Sequence, residues 1–252
     1  MTTRYRTKSF VFKKDDRHES DRKFAIFTKD FGRLEVVAKA IRKIKSKLRG
    51  GIDIFYLSEI EFIQGKSYKT LTDAVKIEKF NNITQDIEKL KIACQISEVL
   101  DNFIKGQEKD ENIWNLIIET FERLNNSNLK IDKLKIIYYY FLWNFYSLLG
   151  YQPEVQKCIA CQGKLNPYAI YFSNKEGGVI CGSCAKQDNG PQKINSDIAK
   201  ILRLIFKKDW QILSRLKIEN SSLQLLKKIS NNYHSYIGEA FGLDRKILIC
   251  YD

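Results

Sequence analysis

The chain has 252 residues, 44% of them hydrophobic, and only 3 prolines, which excludes a disordered or low-complexity polymer and leaves room for one large domain or two small ones. Forty-three Lys and Arg against 30 Asp and Glu give a formal charge of +13, so a polyanion is the natural partner. With aromatics at 12%, a basic chain of this kind favours nucleic acid over acidic proteins and lipid headgroups.

The amino terminus, MTTRYRTKSFVFKKDDRHE, carries charge every few residues and lacks an apolar run followed by small residues, so it does not read as a secretory signal and a cytoplasmic protein is expected. Charge is uneven along the chain. Residues 1–80 hold 20 Lys and Arg against 11 Asp and Glu, a balance of +9, whereas residues 81–252 contribute +4. The first 80 residues also have a strand-like period. Tyr5 to Lys13, Lys23 to Thr28, Arg33 to Lys39, Ile52 to Phe62 and Tyr68 to Val75 are short and rich in β-branched and aromatic residues. The Asp15 to Asp21 charge cluster, Asp30-Phe31-Gly32, Gly50-Gly51 and Gln64-Gly65-Lys66 punctuate them. Five strands in this length predict a small barrel, of which the OB-fold is the commonest nucleic-acid-binding kind, with an SH3-like barrel fitting the pattern almost as well.

Between the third and fourth segments, KAIRKIKSKLR places Lys39, Arg42, Lys43, Lys45, Lys47 and Arg49 in eleven residues without one acid. With Arg33 nearby, these cations offer a dense row of phosphate partners, and Phe31, Phe55 and Tyr56 are candidates to stack on bases. The bland reading is a solvated basic loop. The common sign of the whole segment favours nucleic acid, bound without sequence preference because phosphate contacts carry no base information.

After Phe80 the apolar spacing becomes helical, predicting a helical domain over residues 81–252. Ile92, Ile96, Val99, Leu100 and Phe103 form one stripe, and Ile113, Trp114, Ile117, Phe121 and Leu124 a second. The run Ile136 to Leu149 is apolar nearly all round, too short to span a bilayer, and reads as a central buried helix stopped by Gly150 and Pro153. From about 153 to 191 the pattern turns loop-like and reads as a small inserted module. Beyond it, Ser196 is a candidate cap for a helix to Phe206, and Leu223 to Phe241 predicts a last helix.

The module contains Cys158-x2-Cys161 and Cys181-x2-Cys184, 19 residues apart, a spacing suited to two knuckles closing on one tetrahedral Zn²⁺. Such a closed four-sulfur site is structural, since no position is left for a water. Disulfides, an iron–sulfur cluster and chance are the competing readings, the first disfavoured in a reducing compartment. Lys157, Lys164 and Lys186 are placed to offset the negative charge of the site. Cys94 and Cys250 read as small buried hydrophobes.

A catalytic centre is not visible, and the chain is expected not to be an enzyme. His18 and His234 have no adjacent nucleophile pattern and read as solvated side chains. Gly65-Lys66-Ser67 resembles the end of a phosphate loop, but Ile60 stands where the first glycine is required. Glu59 and Glu61 alternate with apolar residues as strand surface does.

Three segments, FTKDFGRLEVVAKAIRKIKSKLRGGIDIF (27 to 55), SLLGYQPEVQKCIACQGKL (147 to 165) and FSNKEGGVICGSC (172 to 184), resemble in order and spacing the signature regions of the RecO family of bacterial recombination mediators. The likeness spans nearly the whole chain. It implies an OB-fold, a helical domain with a zinc module set into it, binding of single- and double-stranded DNA, and annealing of complementary strands. It further implies association with RecR, with the single-stranded DNA-binding protein and in some lineages with RecF, in loading RecA, without nucleotide hydrolysis. By position, Cys158, Cys161, Cys181 and Cys184 match the zinc ligands, and Lys39 to Arg49 the basic barrel segment. Ala40 stands where many relatives have glycine, and the tail FGLDRKILICYD follows the usual ending only loosely. Other readings are a zinc-containing nucleic-acid-processing enzyme and an RNA-binding scaffold.

Overall fold

The computed structural model describes residues 3–127, 129, 131–187 and 190–243. By contact the chain divides into two compact units, Met1–Leu129 and Lys130–Asp252. Among the described residues no helix is long and apolar enough to cross a membrane.

The first unit begins with β1 (Arg4–Arg17), β2 (Asp21–Thr28), β3 (Gly32–Ala38), β4 (Tyr56–Gln64) and β5 (Lys69–Lys79). They close in the order β1-β2-β3-β5-β4, with β3 and β5 parallel and the other neighbours antiparallel. That order is the five-stranded Greek-key arrangement of the OB-fold, which separates it from the SH3-like alternative. Strand β1 can close the barrel because it pairs with β4 through Arg4 to Phe10 and with β2 through Ser9 to Arg17, bending at a register shift between Val11 and Lys13. It therefore runs past the charge cluster expected to end it. Asp15 and Asp16 lie on paired strand, and the turn is only His18 to Ser20, with His18 in the left-handed region at φ 53°.

Inward-facing residues at alternate positions fill the barrel: Phe24 and Ile26 on β2, Leu34, Val36 and Ala38 on β3, Ile60 and Phe62 on β4. A second layer is aromatic. Phe10 of β1 packs against Phe80 and Phe121, and Phe55 against Phe121, with ring centroids 4.4–6.2 Å apart. Phe121 belongs to α3 (Glu111–Leu124), which follows α1 (Asn81–Thr84) and α2 (Ile87–Phe103). Rings this deeply buried contribute about 1.5–3 kcal/mol each, so these helices join the barrel in one unit. Asp86 and Asp110 start the two longer helices by accepting from backbone N–H groups of their first turns.

The second unit is built around α4 (Ile131–Leu148), whose residues Ile136 to Tyr146 are all buried. Gly150, at φ +88°, ends it as expected, and the Tyr151 N–H returns to the Tyr146 carbonyl. What reads as a loop-like module carries a three-stranded sheet of β6 (Ile170–Ser173), β7 (Gly178–Cys181) and β8 (Gln192–Ile194), with a short α5 (Gly182–Ala185). Strands of three or four residues among glycines leave no periodic signal to read. Helices α6 (Ser196–Phe206), α7 (Trp210–Arg215) and α8 (Asn220–Ala240) complete the unit. Asn195, not Ser196, caps α6, its side chain accepting from the Ile198 N–H. Trp143 of α4 stacks on Tyr233 of α8 and meets Phe172 of β6 edge-on, which fixes the module to the helical core.

Candidate metal centre and basic barrel surface

The four module cysteines converge. Cys158 precedes a tight turn in which the Gln162 N–H bonds the Cys158 carbonyl at 2.8 Å and Gln162 takes φ 60°, turning Cys161 back towards it. Gly163 packs closely on the knuckle, where a Cβ would lie 3.3 Å from the Cys161 sulfur. The second knuckle sits where β7 runs into α5. The first is held to it by the Ile159 N–H on the Val179 carbonyl and by the Cys181 N–H, 3.3 Å from Cys158 Sγ. A bridge between Glu154 and Gly178 registers the two, and a Cβ at Gly178 would come within 2.6 Å of the Glu154 carbonyl.

All four Sγ atoms lie within 4.8 Å of one another, with Cys161 and Cys181 at 3.9 Å. A tetrahedral thiolate site with metal–sulfur bonds of about 2.3 Å sets its sulfurs roughly 3.8 Å apart, so the arrangement fits one metal ion. The thiols also pull against each other. Burial raises the Cys158 thiol, but N–H groups of Cys161 and Cys181 aimed at its sulfur outweigh that and bring it down to about 6. Hydrogen bonding with the Cys181 and Cys161 sulfurs pushes Cys184 up to about 12. Four thiolates cannot share this space unless a cation offsets them. Lys157, Lys164 and Lys186 are exposed around the cluster. Cys94 is exposed on α2, not buried as its helical stripe suggests, because it falls just outside the apolar arc. Cys250 lies outside the described residues.

The basic stretch leaves the barrel as one excursion between β3 and β4. Ile41 and Leu48 point inward and pack on the barrel core, and a 3-10 turn, Lys47–Gly50, brings the chain back. Lys39, Arg42, Lys43, Lys45, Lys47 and Arg49 are all exposed. Among the described residues only Arg42 of the six has a carboxylate within ion-pair distance, Asp16 at 3.5 Å. Asp21 accepts from the Ala40 N–H at 2.7 Å and holds Ala40 at φ 54°, the left-handed position where glycine is the easier residue. The opposite case is the outer face of β1 and β4. There Arg4 pairs with Glu61 at 3.3 Å and Arg6 with Glu59 at 3.9 Å, so Glu59 and Glu61 are strand surface that cancels the cations beside it.

Arg33 does not join the excursion. Its side chain is 11% exposed, stacks over Phe12 and donates to Asp101 and the end of α2. Of the three candidate stacking rings, Phe55 is a core residue and Phe31 packs between Tyr5 and Phe62, while Tyr56 is half-buried beside the Lys79 ammonium. Tyr68, which sequence reading passes over, is better placed: Arg17 lies 5.1 Å and Lys39 5.7 Å from its ring centroid. His234 is not solvated either. It is 2% exposed, hydrogen-bonds the Tyr146 hydroxyl, and burial brings its pKa down to about 4. His18 is exposed.

Comparison with known proteins matches residues 1–80 to the family model described as Recombination protein O N terminal and residues 84–241 to Recombination protein O C terminal. A DNA repair protein RecO of Dehalococcoides mccartyi is 31% identical over 223 residues, covering 88% of this chain and 86% of that protein. Proteins of the same name from Thermoanaerobacter sp. and Halalkalibacterium halodurans are 28% and 24% identical, over 90% and 96% of this chain and 90% and 92% of theirs.

Proposed function

This chain belongs to the RecO family of DNA repair proteins, and on that premise we propose that it is a non-catalytic recombination mediator whose barrel excursion, residues 39–49, binds DNA through its phosphates. The observation that supports this reading is the contrast between two barrel surfaces. On the β1–β4 face Arg4 and Arg6 are each paired with a glutamate and Lys8 is not, whereas five of the six cations on the excursion have no carboxylate within ion-pair distance among the described residues.

An exposed cationic row neutralises phosphates without touching Watson–Crick edges. Two complementary strands held this way lose much of their mutual repulsion while their bases stay free, so annealing proceeds with both backbones bound. Single- and double-stranded DNA are both substrates, and Arg33 is outside the set because its fork is closed on α2. In this reading the protein acts with RecR, with the single-stranded DNA-binding protein, and in some lineages with RecF, to place RecA on coated strands at the bacterial nucleoid. The four cysteines hold one Zn²⁺, which braces the module and supplies no chemistry to DNA.

Replacing Arg42, Lys43, Lys45 and Lys47 by alanine tests the reading. Six phosphates neutralised on a single strand give a slope of log K against log salt near −4, and two give about −1.4. The variant is expected to show that flattening together with slower strand annealing. Wild-type slope and annealing rate in the variant would overturn the reading.

A further inference from the structure

The search outside the excursion ends at one ring. Tyr68 is the last residue of the turn between β4 and β5. Gly65 closes that turn by donating to the Tyr68 carbonyl at 3.1 Å, and a Cβ on Gly65 would approach that oxygen to 2.7 Å, so the turn is tight and fixes the Tyr68 backbone. The pairing of Gln64 with Lys69 locks the hairpin on either side. Gly65-Lys66-Ser67 thus serves as a hairpin turn.

Tyr68 is half-buried and forms a wall common to two polar hollows on the barrel surface. One is lined by Glu35, Gln64, Lys69 and Lys105 among others, the second by Asp15, Asp16, Arg17, Lys23 and Glu35 among others, so carboxylates and cations share both. Arg17, from the end of β1, and Lys39, the first cation of the excursion, both lean over the ring. A ring that borders two hollows and already has two cations over it suits one nucleotide of a single strand. The base takes the place over the ring that a cation fills in the free chain, and Arg17 and Lys39 move to the phosphates before and after it. Lys39 makes the ring continuous with the cationic row.

We propose that Tyr68 is a base-stacking residue that, with Arg17 and Lys39, holds one unpaired nucleotide of a DNA strand running on to the excursion. The proposal rests on the DNA-binding reading above and adds to it a preference for single strands. A duplex has no free base face to offer the ring.

The test titrates the full chain, at several salt concentrations, with a single-stranded oligonucleotide carrying 2-aminopurine and with its duplex. Tyr68→Leu is expected to weaken single-strand binding about tenfold and to abolish the fluorescence change of the probe. It should leave duplex affinity and the salt slope as they are, because no charge is removed. Tyr68→Phe and Tyr68→Trp keep a ring and should bind as wild type. A Tyr68→Leu chain that binds the strand as tightly as wild type overturns the proposal, as does equal loss with Tyr68→Phe, or equal weakening on strand and duplex. Failure of the wild-type chain to bind DNA at all would remove the underlying function as well. Loss on replacing the excursion lysines, with none on Tyr68→Leu, removes the stacking role alone.

Discussion

The guanidinium of Arg33 on β3 donates to the Asp101 carboxylate of α2 at 2.6 Å and to the carbonyls of Asp101 and Ile104 at 2.8 and 2.5 Å. One side chain thus closes the end of a helix onto the barrel, and Lys13 reaches the same carboxylate at 2.7 Å. Burial raises the Asp101 carboxyl, but the Lys13 and Arg33 contacts outweigh that and hold it below its ordinary value.

The pair contributes stability that is complete above about pH 4, the unfolded carboxyl value, and is lost as pH falls through the lower folded value. Arg33→Ala is expected to cost about 2 kcal/mol at neutral pH, read as a lower denaturation midpoint. Arg33→Lys should not restore it, since an ammonium cannot span three acceptors in one plane. The salt slope of DNA binding should be unchanged in both variants; a flatter slope would put Arg33 back among the phosphate contacts.

Gly50 and Gly51 are adjacent and have opposite surroundings. A Cβ on Gly50 meets nothing within 4 Å, whereas one on Gly51 would lie 1.8 Å from the Ala74 carbonyl. Gly50→Ala should leave the melting temperature within about a degree of wild type, the range of a neutral surface change. Gly51→Ala should cost about 3 kcal/mol, because β5 backbone has to move for the excursion to return to the barrel. Equal melting temperatures for the two variants would contradict the geometry.

His234 should make the second unit acid-sensitive. Its folded pKa of about 4 lies below the ordinary 6.5, so the unfolded chain takes up the proton first. Stability is therefore complete above pH 6.5 and declines as pH falls towards 4, by about 3 kcal/mol for a shift of this size. His234→Gln lacks the titration and should flatten that decline when unfolding is followed between pH 7 and 4. An unchanged pH profile would exclude His234 as its source.

Elemental analysis of the purified chain should find one metal ion per molecule, and Cys158→Ser should release it. Cys158 is the buried ligand and also receives the Cys181 N–H, so the variant should lower the melting temperature of the second unit by about 10 °C. Retention of metal at full stoichiometry would refute the four-cysteine set.

Much of this was legible along the chain because it is local. Short runs of aromatic and β-branched residues bounded by turn residues mark β2 and β3, and two residues between cysteines mark each knuckle. Contacts between distant positions were not legible. Arg33 reads as a free cation because Asp101 is 68 residues away, and His234 reads as solvated because Tyr146 is 88 residues away. Asp15 and Asp16 look like a turn by composition, yet pairing with Lys23 and Arg22 on β2 keeps them extended. Tyr68 gives no signal in a four-residue hairpin turn, and only the positions of Arg17 and Lys39 distinguish it from any other surface tyrosine.

The glutamates that cancel Arg4 and Arg6 have an effect beyond their own strands. They offset most of the positive charge on the flank formed by β1 and β4, where Lys8 remains exposed, so the barrel has a weaker and a stronger side for any polyanion drifting towards it. Reversing Glu59 and Glu61 to lysine would abolish that polarity and should spread the binding of a polyanion over both sides of the barrel.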